Sequence, residues 1–325
     1  MLFTSLRILI VCGFFAAVVY AQTIKPETAS KLLIKAPVWI ETTAGQFWQE
    51  GKRPSFKVFL DEQEVVLKSL QGPASSTVVL VVFDTVVDLT RLAIARTALT
   101  EALATLPEYY WIGLMRAQDG LTVLQEPTAN RTALAEKIQS IQVNGHAGLL
   151  DTLDPVARLA TSLQQKANVR VNVLYVTDSG VANYRADLLN PVINSSDTGD
   201  LSRRFADRAV QERMSRLAQD MAEFTIPFYI LHLAYRADTL NLAYQSGLER
   251  VAADAGGLAF FCRTNDEIAS SLDLLWQRLR GGYVLSFEAA KLKHRTAKLR
   301  VEAFAPDGKP FERVQHASQL TVQKK

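Results

Sequence analysis

The stretch Val78-Val79-Leu80-Val81-Val82-Phe83-Asp84 decides the fold. Its six consecutive apolar residues show no polar alternation, which is typical of a strand buried on both faces of a parallel sheet. After the closing aspartate, apolar residues recur at three- and four-residue steps from Leu92 to Leu106 and stop before Pro107. This spacing predicts a helix packed on the strand, and therefore the first unit of an α/β domain.

The middle of the chain repeats this alternation of strand and helix. Further strands are predicted at residues 109–115, 121–124, 169–177, 226–233 and 258–261, and further helices at 149–163, at 210–224, before Gly256 and up to Gly281. The last helix begins with Thr264-Asn265-Asp266-Glu267, which has the form of a capping box. Pro155 is expected in the first turn of its helix. Six strands and about six helices predict a doubly wound, mostly parallel sheet.

Short strands are predicted on both sides of this region, at residues 32–42, 56–60 and 65–70 and again at 283–287, 298–304 and 311–316. Because chain termini tend to lie close together, we expect the two groups to pair into one small sandwich-like β-unit. The predicted organisation is a signal peptide (1–21), an N-terminal β-strand region (22–75), the α/β domain (76–281) and a C-terminal β-strand region (282–325).

Residues 1–21 have the features of a cleavable secretory signal. An early positive charge at Arg7 precedes an uncharged run over residues 8–19, and small or apolar residues stand at −3 and −1 before Gln22. Cleavage is therefore expected after Ala21. The run is shorter than the roughly 20 apolar residues of a membrane-spanning helix, which disfavours a permanent anchor. The predicted location is the periplasm or the outside of the cell.

Composition excludes several classes of function. A hydrophobic content of 48% with 21% charged residues describes a globular protein. The net charge of +3 and the lack of a clustered basic stripe argue against nucleic-acid binding. We find no nucleophile elbow, phosphate-binding loop or dinucleotide fingerprint, so the protein is predicted not to be an enzyme. His232, inside a strand, and Cys262, beside two phenylalanines, are expected in the core.

Three acidic residues mark a candidate metal site. Asp84 and Asp178 end two predicted strands, and Asp88 follows Asp84 by one helical turn. In an open parallel sheet, ligands bind beyond the carboxyl ends of the strands, where the glycine-bearing loop 145–151 should also lie. Hard oxygen ligands that converge from three loops would suit Mg²⁺ or Ca²⁺.

This arrangement resembles the von Willebrand factor A domain, and more closely the bacterial branch of VWFA-related, or acidobacterial-type, domains. The similar stretches are Val82-Phe83-Asp84, residues 120–125 and 128–131, Ala255-Gly256-Gly257 with Phe260-Phe261, residues 282–287 and the leading strand 56–61. The resemblance spans roughly residues 35–320. It implies a protein-binding, adhesion-like module whose metal site uses Asp-x-Ser-x-Ser, a threonine in a second loop and an aspartate in a third.

Three of the five oxygen ligands implied by the resemblance are altered here. Val86 and Asp88 occupy the two serine positions, and Ala147 occupies the threonine position. Valine and alanine cannot coordinate a cation. Two readings stay open: Asp84, Asp88 and Asp178 hold Mg²⁺ or Ca²⁺, or these carboxylates accept hydrogen bonds from loop amides and cap helices.

The loops beyond the strand ends are expected to contact a protein partner, because loops in such positions often carry binding residues. The predicted contact residues are His146, Ala147, Ser179, Asn194 and Asp197. The sequence therefore predicts a largely metal-independent binding module that engages a protein in the cell envelope or outside it. Metal-dependent binding is the alternative. An envelope hydrolase that uses Ser179 is a third hypothesis, although no histidine is obviously placed to activate this serine.

Overall fold

The structure is a computed structural model that describes residues 32–184, 200–289 and 296–321. The strands are β1 (Leu32–Glu41), β2 (Phe56–Leu60), β3 (Gln63–Val65), β4 (Leu67–Gln71), β5 (Thr77–Asp84), β6 (Tyr110–Arg116), β7 (Thr122–Thr128), β8 (Arg170–Thr177), β9 (Phe228–His232), β10 (Leu258–Phe261), β11 (Tyr283–Ala289), β12 (Thr296–Ala303), β13 (Arg313–His316) and β14 (Gln319–Thr321). The α-helices are α1 (Leu89–Ala104), α2 (Arg131–Gln139), α3 (Leu149–Ala167), α4 (Asp200–Met221), α5 (Thr239–Asp254) and α6 (Glu267–Gly281).

The central sheet has six strands in the order β10-β9-β8-β5-β6-β7. All neighbours are parallel except β7, which pairs antiparallel with β6 at one edge. The turn between β6 and β7 contains Asp119 and Gly120, both with positive φ (53° and 111°). The predicted doubly wound, mostly parallel sheet is confirmed.

Strand β5 is central because its sequence is apolar on both faces. Val78, Leu80 and Val82 point into a core that they share with α3, α4 and α5. The alternate residues Val79, Val81 and Phe83 point into a second core with α1, α2 and α6. A strand whose every residue is buried can only lie inside a sheet that helices cover on both faces.

The strands before and after the central region form two further sheets, β13-β1-β11-β4 and β14-β12-β2-β3. The N-terminal β1 pairs antiparallel with the C-terminal β11, and β2 pairs antiparallel with β12. Both sheets contribute side chains to one hydrophobic core. The predicted sandwich-like β-unit from the two ends of the chain is confirmed.

Trp39 of β1 connects this β-unit to α6. Its indole Nε1–H donates to the carbonyl oxygen of Arg278 at 2.8 Å, and the Arg278 guanidinium lies 4.4 Å from the centre of the Trp39 ring. Both side chains are buried. A cation–π contact out of water adds to the hydrogen bond and fixes the helix against the strand.

Two local predictions were wrong. Pro155 lies beyond the first turn of α3, and because it has no N–H the helix lacks the hydrogen bond that this residue would donate to the Asp151 carbonyl. The capping box before α6 does not form. Asp266 occupies the N-cap without a side-chain cap bond, and Glu267 Oε2 instead accepts the Arg263 N–H at 2.6 Å.

Gly257 provides a test of the contact between the start of β10 and β9. A Cβ atom at this position would lie 1.7 Å from the carbonyl oxygen of Phe228, which is backbone and cannot rotate away. We expect Gly257→Ala to lower the free energy of unfolding by about 3 kcal/mol or more. Urea denaturation measures this change.

Gly72→Ala is the matched control, because a Cβ there would lie 3.4 Å from the Tyr283 ring, an ordinary contact distance. Its effect should stay within about 1 kcal/mol. Equal losses in the two variants would show that the close approach at Gly257 does not limit stability.

Candidate functional site

The loops that follow the carboxyl ends of β5, β8 and β9 form one edge of the central sheet, which we call the carboxyl edge. Asp84 is the last residue of β5 and lies beside Thr177, the last residue of β8. Asp178 follows directly. The loop 145–148 before α3 reaches the same edge, because Gly148 contacts Asp84. The structure thus brings together the regions that the sequence predicted to converge.

Asp84 is completely buried and both of its carboxylate oxygens accept hydrogen bonds. Oδ1 accepts the Gly148 N–H at 2.8 Å, and Oδ2 accepts the hydroxyls of Ser179 (2.8 Å) and Thr177 (3.2 Å). Burial raises the pKa of Asp84 to about 6, although these hydrogen bonds act in the opposite direction. Asp84 therefore joins the loops after β8 and before α3 to the end of β5.

Asp178 is also completely buried, and its carboxylate closes the loop between β5 and α1. Oδ1 accepts the Val86 N–H at 2.7 Å, and Oδ2 accepts the N–H groups of Val87 at 3.0 Å and Asp88 at 2.6 Å. Three successive backbone donors directed at one carboxylate define the path of this loop.

Asp88 acts as the N-cap of α1. Its Oδ1 accepts the Arg91 N–H at 3.0 Å, and its Oδ2 lies 3.5 Å from Arg91 Nε. The Arg91 guanidinium in turn donates to the carbonyl oxygens of Leu233 and Cys262, at the ends of β9 and β10. The first turn of α1 is thereby attached to the ends of two strands of the sheet.

These carboxylates do not fit a Mg²⁺ or Ca²⁺ site. Asp84 and Asp178 already use both oxygens to accept hydrogen bonds, and the side chains of Val86 and Ala147 offer no oxygen. Across residues 32–184, 200–289 and 296–321, no group of three or more His, Cys, Asp or Glu side chains could hold a metal ion. The geometry favours the capping alternative over coordination.

The predicted contact residues have different exposures. The side chain of His146 is 54% exposed, with Nδ1 3.1 Å from Asp119 Oδ1. Ala147 is only 6% exposed and Ser179 is fully buried, so for these two residues the structure differs from the prediction. The Asp84 carboxylate draws the Ser179 hydroxyl inwards. Asn194 and Asp197 lie outside the described residues.

His232 is a core histidine, as predicted. It is fully buried, and its Nε2–H donates to the backbone carbonyl of Ser179 at 2.8 Å while Nδ1 accepts the Ala234 N–H. Burial lowers the pKa of His232 to about 4, which keeps the ring neutral. Its contact is with the carbonyl oxygen, whereas the Ser179 hydroxyl donates to Asp84. Cys262 is a free, buried thiol, as predicted.

Sequence reasoning missed the apolar residues that the carboxyl edge exposes. Val87 and Leu89 are 48% and 61% exposed, directly beyond the loop that Asp178 holds. Two large apolar residues in a loop after a strand-end aspartate were the available signal. Asp178 connects these residues to Arg236: its carboxylate accepts the Val87 N–H, and its backbone carbonyl lies 3.4 Å from Arg236 Nη2. We call Val87, Leu89 and Arg236 the edge patch.

Arg236 reaches this position by passing over Gly180. A Cβ atom at Gly180 would lie 2.9 Å from Arg236 Nε, so a side chain there would push the arginine away. Arg236 Nε is buried without a hydrogen-bond partner, and the guanidinium forms no ion pair within the described chain. The edge patch therefore combines exposed apolar surface with a half-buried cation that has no ion pair within the described chain.

No protein-family model and no curated protein sequence matches the chain. Among solved structures it is similar to von Willebrand factor type A from Catenulispora acidiphila, at 10% identity and a TM-score of 0.41 over 83% of this chain and 73% of that one. It is also similar to the vWF domain of the type V pili tip protein Mfa5 from Porphyromonas gingivalis (13% identity, TM-score 0.43, 63% of this chain, 95% of that one). A third similar structure is that of an aerotolerance-related membrane protein from Bacteroides fragilis (12% identity, TM-score 0.39, 61% of this chain, 97% of that one). Likeness at these values carries no argument about function.

The role of Asp178 can be tested by Asp178→Asn. Asparagine has one acceptor oxygen, and its NH₂ group would face backbone donors that now meet a carboxylate. We expect the free energy of unfolding to fall by about 2 to 3 kcal/mol in urea denaturation. Asp88→Asn is the control, since asparagine caps helices as well as aspartate does, and it should change stability by less than about 0.5 kcal/mol. Equal effects would contradict the assigned role.

The neutral His232 predicts a pH dependence. In the unfolded chain His232 is protonated below its ordinary pKa of 6.5, whereas in the folded protein it stays neutral down to about pH 4. The contribution of His232 to stability is therefore lost as the pH falls from about 6.5 to about 4. A pKa lowered from 6.5 to about 4 corresponds to about 3 kcal/mol. The stability advantage of the wild type over His232→Gln should therefore shrink by about this amount between about pH 7 and pH 4, measured by denaturation at each pH.

Asp84 supplies a control of opposite sign. Its folded-state pKa of about 6 lies above the ordinary 3.8, so its contribution to stability falls as the pH rises through that window. The advantage of the wild type over Asp84→Asn should decrease with rising pH. The stability differences between the wild type and the His232 and Asp84 variants should therefore change in opposite directions with pH. If both change in the same direction, pH acts on the stability of the whole fold rather than through these two groups.

Proposed function

We propose that this protein is an exported, non-catalytic binding module that engages a protein partner through the carboxyl edge of its central sheet, without a bound metal ion. The observation that carries the proposal is the edge patch, in which Val87 is exposed on the loop held by the buried Asp178 and Leu89 is exposed at the start of α1. Aspartates that could have offered oxygen to a cation organise the loop instead.

The apolar part of the edge patch supports protein binding. Large exposed apolar side chains on a well-held loop lose water when a partner covers them, at about 25 cal/mol per Å² of apolar surface. Because the hydrogen bonds to Asp178 already fix the loop, little conformational entropy remains to be lost on binding. These properties suit a surface that inserts into an apolar pocket of a partner.

The polar part of the same edge has the composition of a protein interface. Arg236 is a half-buried cation without an ion pair in the described chain, and the neighbouring Arg263 stacks on Tyr235 with its guanidinium 4.7 Å from the ring centre. Arginine and tyrosine are enriched at interface positions that dominate binding energy. A partner with acidic residues around an apolar pocket would complement this edge.

Binding rather than catalysis is supported by the position of Ser179. The residue is fully buried, its hydroxyl donates to Asp84, and its contact with His232 runs through the backbone carbonyl. A serine nucleophile requires an accessible hydroxyl and a base that takes its proton. The hydrolase hypothesis has no such geometry to support it.

Export rests on residues 1–21, which lie outside the described residues and keep their predicted role as a signal cleaved after Ala21. Within the described chain, no helix combines the length and apolar character needed to cross a membrane. We propose that the partner belongs to the cell envelope or lies outside the cell, and we retain the boundaries 22–75, 76–281 and 282–325 for the mature chain.

The edge patch can be tested with Val87→Ser combined with Leu89→Ser. Immobilised protein would capture partners from envelope and secreted fractions of the source cells, quantified by mass spectrometry with and without EDTA. We expect the double variant to reduce capture of the main partner at least about tenfold, because two apolar side chains that become buried in the complex contribute several kcal/mol to binding. EDTA should leave capture unchanged.

The control is Val66→Ser combined with Leu274→Ser, which removes one exposed valine (72%) and one exposed leucine (49%) outside the carboxyl edge. Circular dichroism would verify that all variants fold. Capture that survives the edge variant would place the partner elsewhere. Loss of capture in EDTA, with heat released on titration of Ca²⁺ or Mg²⁺, would favour the metal-dependent alternative.

A further inference from the structure

A cleft of about 570 Å³ lies at the end of the central sheet opposite to the carboxyl edge, where β5 and β6 begin. The segment after β1, the loop before β6 and the C-terminal turn of α6 form its walls. Its volume is in the range of small-ligand sites, which runs from about 300 to 1,000 Å³. None of the residues discussed for the carboxyl edge lines it.

Four polar side chains of the cleft have no hydrogen-bond or ion-pair partner within the described chain: Gln46, Gln49, Gln277 and Arg280. Gln46, Gln49 and Gln277 are exposed and make no side-chain hydrogen bond there. Among the residues that the structure describes, Arg280 makes neither an ion pair nor a side-chain hydrogen bond, and none of the residues that line the cleft is acidic. Arg278, two residues earlier on α6, instead donates to Gln315 Oε1 and packs on Trp39. Three amides and one guanidinium are thus available to a ligand.

An aromatic surface completes the cleft. Tyr109 is 36% exposed, and its ring packs against the buried Tyr110 with 5.2 Å between ring centres. Tyr109 lines the same cleft as the three glutamines. Tyrosine combines an apolar face with a polar tip, so it can pack on the C–H surface of a sugar ring while its hydroxyl stays hydrated.

The walls of the cleft are held in place without a ligand. The Thr42 N–H donates to the Gln46 carbonyl and the Trp48 N–H to the Ile40 carbonyl, both at 2.8 Å. A Cβ atom at Gly281 would lie 2.5 Å from the Phe47 side chain, so the loop packs directly on the end of α6. A preformed site loses little entropy on binding.

We infer that this cleft binds a saccharide that carries a carboxylate. Arg280 pairs with the carboxylate, the three glutamine amides exchange hydrogen bonds with hydroxyls, and one sugar ring packs on Tyr109. A neutral proline-rich peptide, which also suits aromatic grooves, would leave Arg280 unpaired. None of the described residues that line the cleft is acidic, so this lining does not repel an anion.

The test is calorimetric titration of the purified protein with digalacturonate and with galactobiose, its neutral counterpart. We expect digalacturonate to bind at least about tenfold more tightly, a difference of 1.4 kcal/mol. Arg280→Gln should abolish this preference, and Tyr109→Ala should weaken both sugars about tenfold. Arg216→Gln and Trp111→Ala are the matched controls, because both residues are exposed and lie outside the cleft.

The inference is overturned if neither digalacturonate nor the glucuronate-containing disaccharide of hyaluronan binds, or if Arg280→Gln leaves the preference intact. Tighter binding of a proline-rich decapeptide, lost in Tyr109→Ala, would identify a peptide groove instead. The Val87→Ser, Leu89→Ser variant should bind both sugars as the wild type does. The outcome is therefore independent of whether the carboxyl edge binds a protein.

Discussion

The buried carboxylate of Asp178 is the contact on which the carboxyl edge depends. It accepts hydrogen bonds from three consecutive backbone N–H groups, those of Val86, Val87 and Asp88. Burying a charge is costly unless it is well hydrogen-bonded, and these donors provide that compensation. With the loop closed in this way, Asp88 can cap α1, and Val87 and Leu89 face solvent. The exposed surface exists because the carboxylate beneath it is internal.

The same arrangement explains how a binding edge can be organised without a cation. A metal site is complete only when the ion is bound, so its shape varies with ion concentration. Here Asp84 and Asp178 connect the loops through hydrogen bonds that form when the chain folds. The shape of the edge should thus depend on folding alone.

The sheet could be predicted because the signal was local: a strand such as β5, apolar on both faces, has few alternatives. The convergence of Asp84 and Asp178 followed from parallel strand ends. What failed depended on contacts distant in sequence. Ser179 is buried because Asp84, 95 residues earlier, accepts its hydroxyl.

Weak local signals account for the remaining misses. Helix α2 presents only Leu134 and Ile138 as buried residues, too few to reveal its period, and its Asn130 cap was not recognised. Pro155 was misplaced because the buried face of α3, with Leu153 and Val156, outweighs one missing hydrogen bond.

The pairing of β4 with β11 has a consequence for the order of folding. Gln71 and Val284 are register partners in this ladder, although the whole α/β domain separates them along the chain. Closing so long an unstructured loop costs entropy before any contact is gained. Once the α/β domain has folded, the residues at which the chain enters and leaves it lie close together. Most of the entropy cost of closing the loop has then already been offset by contacts within the domain. The sandwich joins strands that precede and follow the α/β domain in the chain, and it is therefore expected to be the last part to assemble.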